Sequence, residues 1–249
     1  MDYFGRQLSR RTLFRGATAT ALTLAGAASL PREYAFAQEV PSPDEALARL
    51  QAGNARFVAF QRQYPNQTPE RRAEVVREQR PYAAILSCAD SRVPPEIAFD
   101  SGIGDLFVLR LAGNVWNEVA VGSLEFAVGN FGTPLIVVLG HQRCGAVAAA
   151  IGAVRANTPA PGSIDTIVQA LRPPVEQTLA GVALAQRVPG APSPSESELV
   201  ELAAKQNVRY VVNRIAQADV YIRDAVTAGR VKIVGMYYSL DTGEATLVA

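Results

Sequence analysis

The sequence predicts an α/β domain built on a mostly parallel sheet, and three observations predict it. Apolar runs at Tyr82–Ser87, Asp105–Leu111 and Leu135–Leu139 are too short for buried helices, and two of them are rich in β-branched residues, so they read as buried strands. Stretches with helical character, Asn117–Asn130 and Cys144–Val154, lie between and after them. The chain closes on two further runs, Arg230–Tyr238 and Glu244–Val248, around the turn residues Asp241-Thr242-Gly243, which predicts a final hairpin. Strands alternating with helices imply a sheet with helices packed on its faces.

Taken from the N-terminus, the first 37 residues stand apart from this pattern. Ser9-Arg10-Arg11-Thr12-Leu13-Phe14 has a twin-arginine form, with the Leu-Phe order departing slightly from the commonest version. A mildly apolar run, Gly16–Leu30, follows, and Ala35-Phe36-Ala37 has the small-x-small form of a signal-peptidase site. The run is shorter than the roughly 20 residues that span a bilayer. Residues 1–37 are therefore expected to be a twin-arginine signal peptide and 38–249 a single domain, exported folded to the periplasm without stable membrane insertion. An uncleaved membrane anchor or a chance arginine pair is the competing reading.

Within the domain, Ser42-Pro43-Asp44-Glu45 predicts a capped helix running to about Phe60. A second helix is expected after Thr68-Pro69, stopping before Pro81. The first two helices form an N-terminal helical arm ahead of the first strand. Pro189–Ser195 reads as a loop leading into one long helical region, Glu196–Ala228, ended by Gly229. There is no internal repeat. The 249 residues with 49% hydrophobic side chains suffice for one sizeable core. A net charge of +1, from 24 basic and 23 acidic side chains, gives no electrostatic ground for nucleic acid or an anionic membrane as partner.

The chain has 2 cysteines and 1 histidine, so metal or nucleophile chemistry must draw on nearly all of them. Cys88 follows the first predicted strand, and His141 and Cys144 follow the third, at strand carboxyl ends where open α/β sheets bind ligands. Two thiolates and an imidazole suit zinc and leave a fourth tetrahedral position open. A disulfide is the default for two cysteines in an exported protein. The H-x-x-C spacing, the strand-end placement and an export route that carries folded proteins favour the metal. Asp90, two residues after Cys88, is either a fourth ligand or an uncoordinated acceptor for the hydrogen of a zinc-activated water. Arg92 favours the second role, because a guanidinium forks onto a carboxylate and orients it.

The segments Cys88-Ala89-Asp90-Ser91-Arg92 and His141-Gln142-Arg143-Cys144 resemble the paired C-x-D-x-R and H-x-x-C signature of the β-class carbonic anhydrases. The resemblance extends to QRPYAAILSCADSRVPPE, RLAGNVW, GSLEFAVGN and VKIVGMYYSLDTG, covering essentially the whole mature chain. It implies a four-stranded parallel sheet with an added antiparallel strand, a dimer often paired into tetramers, and an active site at the dimer seam. It implies one zinc per chain on Cys88, His141 and Cys144, an Asp90–Arg92 catalytic dyad, and reversible hydration of CO2 to bicarbonate. It also places Gln79, Phe107, Phe126 and Gly145 around the substrate, with Phe126 lacking the hydroxyl that some relatives carry there. Ile85, Leu86 and Ser87 include no tryptophan of the sort found in the bicarbonate-regulated subgroup. Two thiolates offset the charge of the metal, so the site should be a weaker acid than one built on three histidines. With the single histidine a ligand, proton release has no histidine shuttle. Hydrolysis of carbonyl sulfide or carbon disulfide on the same fold, and a non-catalytic zinc protein, are the alternative functions.

Overall fold

The computed structural model describes residues 40–218 and 220–249; the expected signal peptide lies outside the described residues. In chain order the elements are α1 (Pro43–Val58), α2 (Pro69–Glu74), β1 (Ala83–Ser87), α3 (Pro95–Ala98), β2 (Leu106–Arg110), α4 (Glu118–Phe131), β3 (Leu135–His141), α5 (Gly145–Ala156), α6 (Ile164–Ala185), α7 (Glu196–Ala216), α8 (Val220–Thr227), β4 (Lys232–Tyr238) and β5 (Ala245–Leu247). A single 3-10 turn, Ala112–Asn114, links β2 to α4.

The sheet order is β2-β1-β3-β4-β5. The first four strands run parallel and β5 is antiparallel to β4, as the family resemblance implied. Because successive side chains on a strand point to opposite faces, the sheet makes two cores. Ile85, Val137, Leu139, Val234 and Met236 pack against Ala46, Leu47 and Leu50 of α1. Ala84, Leu86, Ile136 and Val138 pack against Leu124 and Ala127 of α4, Val208, Val211 and Ile215 of α7, and Ile222 of α8. A third cluster beyond the strand ends joins α5, α6 and α7 to Cys88 and Cys144.

Local chemistry sets the helix starts. Ser42 and Glu45 form a reciprocal capping box on α1, Ser195 and Glu198 form another on α7, and Thr68 and Asn117 cap α2 and α4. Three expectations need correction. The second helix ends at Glu74, not near Pro81, because it buries no residue and has no packing to extend it. The region Glu196–Ala228 is two helices; the chain breaks after Ala216, and Ile222 and Ala225 enter the same core as Ile215. β3 continues two residues beyond Leu139, so His141 is the last strand residue. One further helix, α6, spans 22 residues and runs through Pro173-Pro174, where each proline removes a backbone donor. It persists because Val168, Leu171 and Val175 are buried against α5 and α7.

Candidate metal centre and active site

The register of the sheet brings the rare residues together. Ser87 at the end of β1 lies opposite Leu139 of β3, and β3 runs on for two more residues to His141. Cys88 therefore emerges beside the strand that carries His141. The chain then turns through Gln142 and Arg143, whose φ of +52° is left-handed, and reaches Cys144 at the start of α5. The sulfurs of Cys88 and Cys144 and a nitrogen of His141 lie within 4.8 Å of one another. Both thiols are free, and all three residues are buried.

Hydrogen bonds fix the chemical form of each group. His141 Nδ1 lies 2.9 Å from the carbonyl oxygen of Gln142. A carbonyl only accepts, so Nδ1 donates, and in the neutral imidazole the lone pair is therefore on Nε2. That Nε2 is buried and has no hydrogen-bond partner. Cys88 Sγ accepts a bond from the Gly113 backbone N–H at 3.2 Å. The thiol of Cys144 foremost, opposed by burial and helped by His141 and the backbone N–H groups of Asp90 and Gly113, holds Cys88 down to about 4. The same contact with Cys88, together with burial and the neighbouring negative charge, pushes Cys144 up. Without a cation the two sulfurs share one proton; a divalent ion is what lets both ionise.

Asp90 borders this cluster, with Oδ2 3.9 Å from His141 Nε2. Arg92 grips both carboxylate oxygens: Nε donates to Oδ1 at 2.9 Å, Nη2 to Oδ2 at 2.7 Å, and the backbone N–H to Oδ1 at 3.0 Å. These bonds, chiefly the side-chain ones, hold Asp90 well below the usual carboxylate range despite its partial burial. Arg110 ties the loop itself, donating from Nε to Cys88 O at 3.0 Å and from Nη2 to Asp90 O.

Of the other residues expected at the site, Gly145 borders the cysteine cluster, and Phe107, Phe126 and Gln79 lie outside it within one chain. Gly145 is the first residue of α5, next to Cys144, and a Cβ there would meet nothing within 4 Å. Phe107 belongs to the core under α4, not to the cysteine cluster. It lies 6.0 Å from Phe131, and Phe126 stacks edge-on against the same ring at 5.4 Å. Phe126 is exposed, as is Gln79. Sequence reasoning missed Gly113 and Arg110. Only the glycine has a local signal, a residue with φ +73° just beyond a strand.

The donor set fits zinc: two sulfurs, one imidazole lone pair with no other partner, and one tetrahedral position left over. A parallel α/β sheet ending in such an open Cys2His cluster defines a class, that of zinc enzymes with a catalytic rather than a closed structural site. Residues 83–245 match the family model for carbonic anhydrase. Carbonic anhydrase 2 of Mycobacterium tuberculosis is 39% identical over 206 residues, covering 83% of this chain and 93% of that protein. The carbonic anhydrase of Mycolicibacterium smegmatis is also 39% identical over 206 residues, with the same coverage. The β-carbonic anhydrase CafA of Aspergillus fumigatus has a TM-score of 0.63 at 26% identity, over 83% of this chain and 91% of that one. A tetrameric β-carbonic anhydrase of Sordaria macrospora shares the fold, with a TM-score of 0.62 at 20% identity over 82% of this chain and 96% of that one. The chain belongs to the β-class carbonic anhydrases. It is accordingly a zinc-dependent enzyme of reversible CO2 hydration.

Proposed function

We propose that Cys88, His141 and Cys144 hold the zinc and that Asp90, oriented by Arg92, directs the water that adds to CO2. Bound there, zinc supplies the Lewis acidity that brings deprotonation of water toward neutral pH. Asp90 accepts a hydrogen bond from that water and so turns an oxygen lone pair toward the substrate carbon. Arg92 keeps the carboxylate ionised and off the metal. The N–H of Gly145, in the first turn of α5, has no intrahelical acceptor and is available to the oxygen of substrate or product. The only histidine serves as a ligand, so protons leave by water, buffer or a side chain other than histidine. The observation that carries this reading is the doubly hydrogen-bonded Asp90 standing 3.9 Å from the unpartnered Nε2 of His141.

Gln79, Phe107 and Phe126 complete the CO2 pocket in this proposal across a seam with a second copy of the chain. The exposed aromatic Phe126, beside Phe131 and the edge strand β2, supports self-association as a dimer or tetramer. The mature enzyme works in the periplasm after twin-arginine export, a reading supported by Arg10-Arg11 and Ala35-Phe36-Ala37. Among the described residues no helix is long and apolar enough to cross a membrane. The test is metal analysis, light scattering and CO2 hydration on the purified mature chain, with carbonyl sulfide and carbon disulfide assayed in parallel. A zinc-loaded protein that hydrolyses either sulfur compound and leaves CO2 untouched overturns the assignment.

A further inference from the structure

The buried face of α7 follows a four-residue spacing: Leu199, Ala203, Asn207, Val211, Ile215. Asn207 is the one polar member of that stripe and is only 1% exposed. An amide so placed costs stability unless it is paired, and an aliphatic side chain would pack there without that cost. Its NH2 group donates to the carbonyl oxygen of Gly113 at 2.8 Å. This fixes the amide orientation, since only the nitrogen pairs with a carbonyl. Its Oδ1 has no partner, so the whole return on burying the amide lies in that one bond.

Gly113 in turn donates its N–H to Cys88 Sγ at 3.2 Å. It must be glycine: φ is +73°, and an added Cβ would lie 3.0 Å from Leu171 Cδ1 and 3.2 Å from Ala146 Cβ. Glycine is also the residue whose backbone rotates most freely, so its N–H keeps no fixed direction unless something anchors it. The donor N–H and the accepting C=O belong to successive peptides, so the Asn207 bond acts by geometry: holding the carbonyl holds the aim of the N–H.

We propose that Asn207 is a positioning residue for the metal centre, acting through the Gly113 backbone on the sulfur of Cys88. The proposal rests on Cys88, His141 and Cys144 being the zinc ligands. An N–H aimed at the sulfur draws charge from the thiolate and fixes its direction, and loss of such an outer contact weakens metal binding by about 10–100-fold.

The experiment compares the mature enzyme with Asn207→Leu, which keeps volume and removes the donor, Asn207→Ala, and Val211→Ala. Val211 is equally buried on the same helix, in the core cluster that contains neither cysteine, and its apolar side chain forms no hydrogen bond. Zinc affinity is measured by competition with a chromophoric chelator, the sulfur-to-metal charge-transfer band is recorded with cobalt(II), and urea unfolding is followed for each variant. Both Asn207 variants are expected to bind zinc about 10–100-fold more weakly, with a shifted cobalt band. Val211→Ala is expected to lose stability while keeping both metal properties. Asn207 variants that lose stability but keep wild-type affinity and an unshifted band overturn the proposal. A wild-type chain that binds no zinc overturns instead the ligand assignment beneath it.

Discussion

Replacing Arg92 with alanine removes two of the three bonds that hold Asp90, those from Nε at 2.9 Å and Nη2 at 2.7 Å. The backbone N–H of residue 92 survives the substitution and keeps its 3.0 Å bond to Oδ1. The carboxylate is then pivoted on one oxygen with the other free to swing. That free oxygen, Oδ2, starts 3.9 Å from Nε2 of His141. Nitrogen and oxygen ligands at about 2.0–2.1 Å from a tetrahedral zinc stand about 3.4 Å apart, so a displacement of about 0.5 Å brings Oδ2 into ligand range. Arg92→Ala should therefore retain about one zinc per chain and lose about 10–100-fold in kcat/KM, as a carboxylate occupies the position that water needs. Stability should barely change, because the Arg92 side chain is 52% exposed. Stopped-flow CO2 hydration, metal analysis and a crystal structure of the variant make the test. Loss of an exposed ion pair alone accounts for no more than about a fivefold effect. A zinc-loaded variant within that range would show the Asp90–Arg92 pair to be a surface contact and refute the account of the open site.

Asp90→Asn should keep the zinc and leave the site open, since a neutral amide is a poor ligand, but lose hydration activity comparably; calorimetric zinc titration and the hydration assay read both. Chelation at neutral pH should expose two reactive thiols absent from the holoenzyme. Cys88, whose sulfur accepts the Gly113 N–H and is held down beside Cys144, should react first and Cys144 later, as followed by timed alkylation and mass spectrometry. Asp100 is buried and accepts bonds from Arg56 Nε at 2.7 Å and the backbone N–H groups of Gln63 and Tyr64 at 2.9 and 3.0 Å. Burial alone would raise it, but these bonds prevail and lower it. A carboxyl lowered in the folded state stabilises above its unfolded value, about 3.9, and that stabilisation fades as pH falls through the folded value. Asp100→Asn should cost about 1–3 kcal/mol at pH 7 and less on acidification, by urea unfolding at a series of pH values. Asp241 accepts bonds from both Nη atoms of Arg143 and from Gln142, clasping the His141–Cys144 loop in which Arg143 has φ +52°. Asp241→Ala should weaken zinc binding by no more than about fivefold in the same chelator competition, since the pair is exposed. Arg10→Lys with Arg11→Lys should hold the chain in the cytoplasm, and periplasmic protein of unchanged amount would exclude twin-arginine export.

Much of the fold was legible because it depends on neighbours in the chain. Ser42 and Glu45, or Ser195 and Glu198, are three residues apart and cap their helices with no help from the rest of the molecule. The apolar runs of β1 and β3 announce strands buried on both faces, and all their residues are buried. The sequence misled where packing opposes local preference. Pro173-Pro174 argues against a helix, yet α6 buries enough on α5 and α7 to run through both prolines. The stretch after Glu74 favours helix but has nothing to pack on, and it stops.

By itself the sequence determined the metal chemistry, because two cysteines and one histidine at strand ends leave no other donor set of that kind to choose. It also set the Asp90–Arg92 pairing, since side chains two residues apart meet whatever the remainder of the fold does. Only the tertiary structure decided that Phe107 packs in a different cluster from the cysteines, and that Phe126 lies exposed against Phe131. It alone placed Asn207 behind Gly113, and so behind Cys88, from 94 residues along the chain. The physical reason is range. Residue chemistry, capping and alternation act over a few positions, whereas a buried hydrogen bond between distant segments exists only after the sheet and α7 have packed and excluded water from between them.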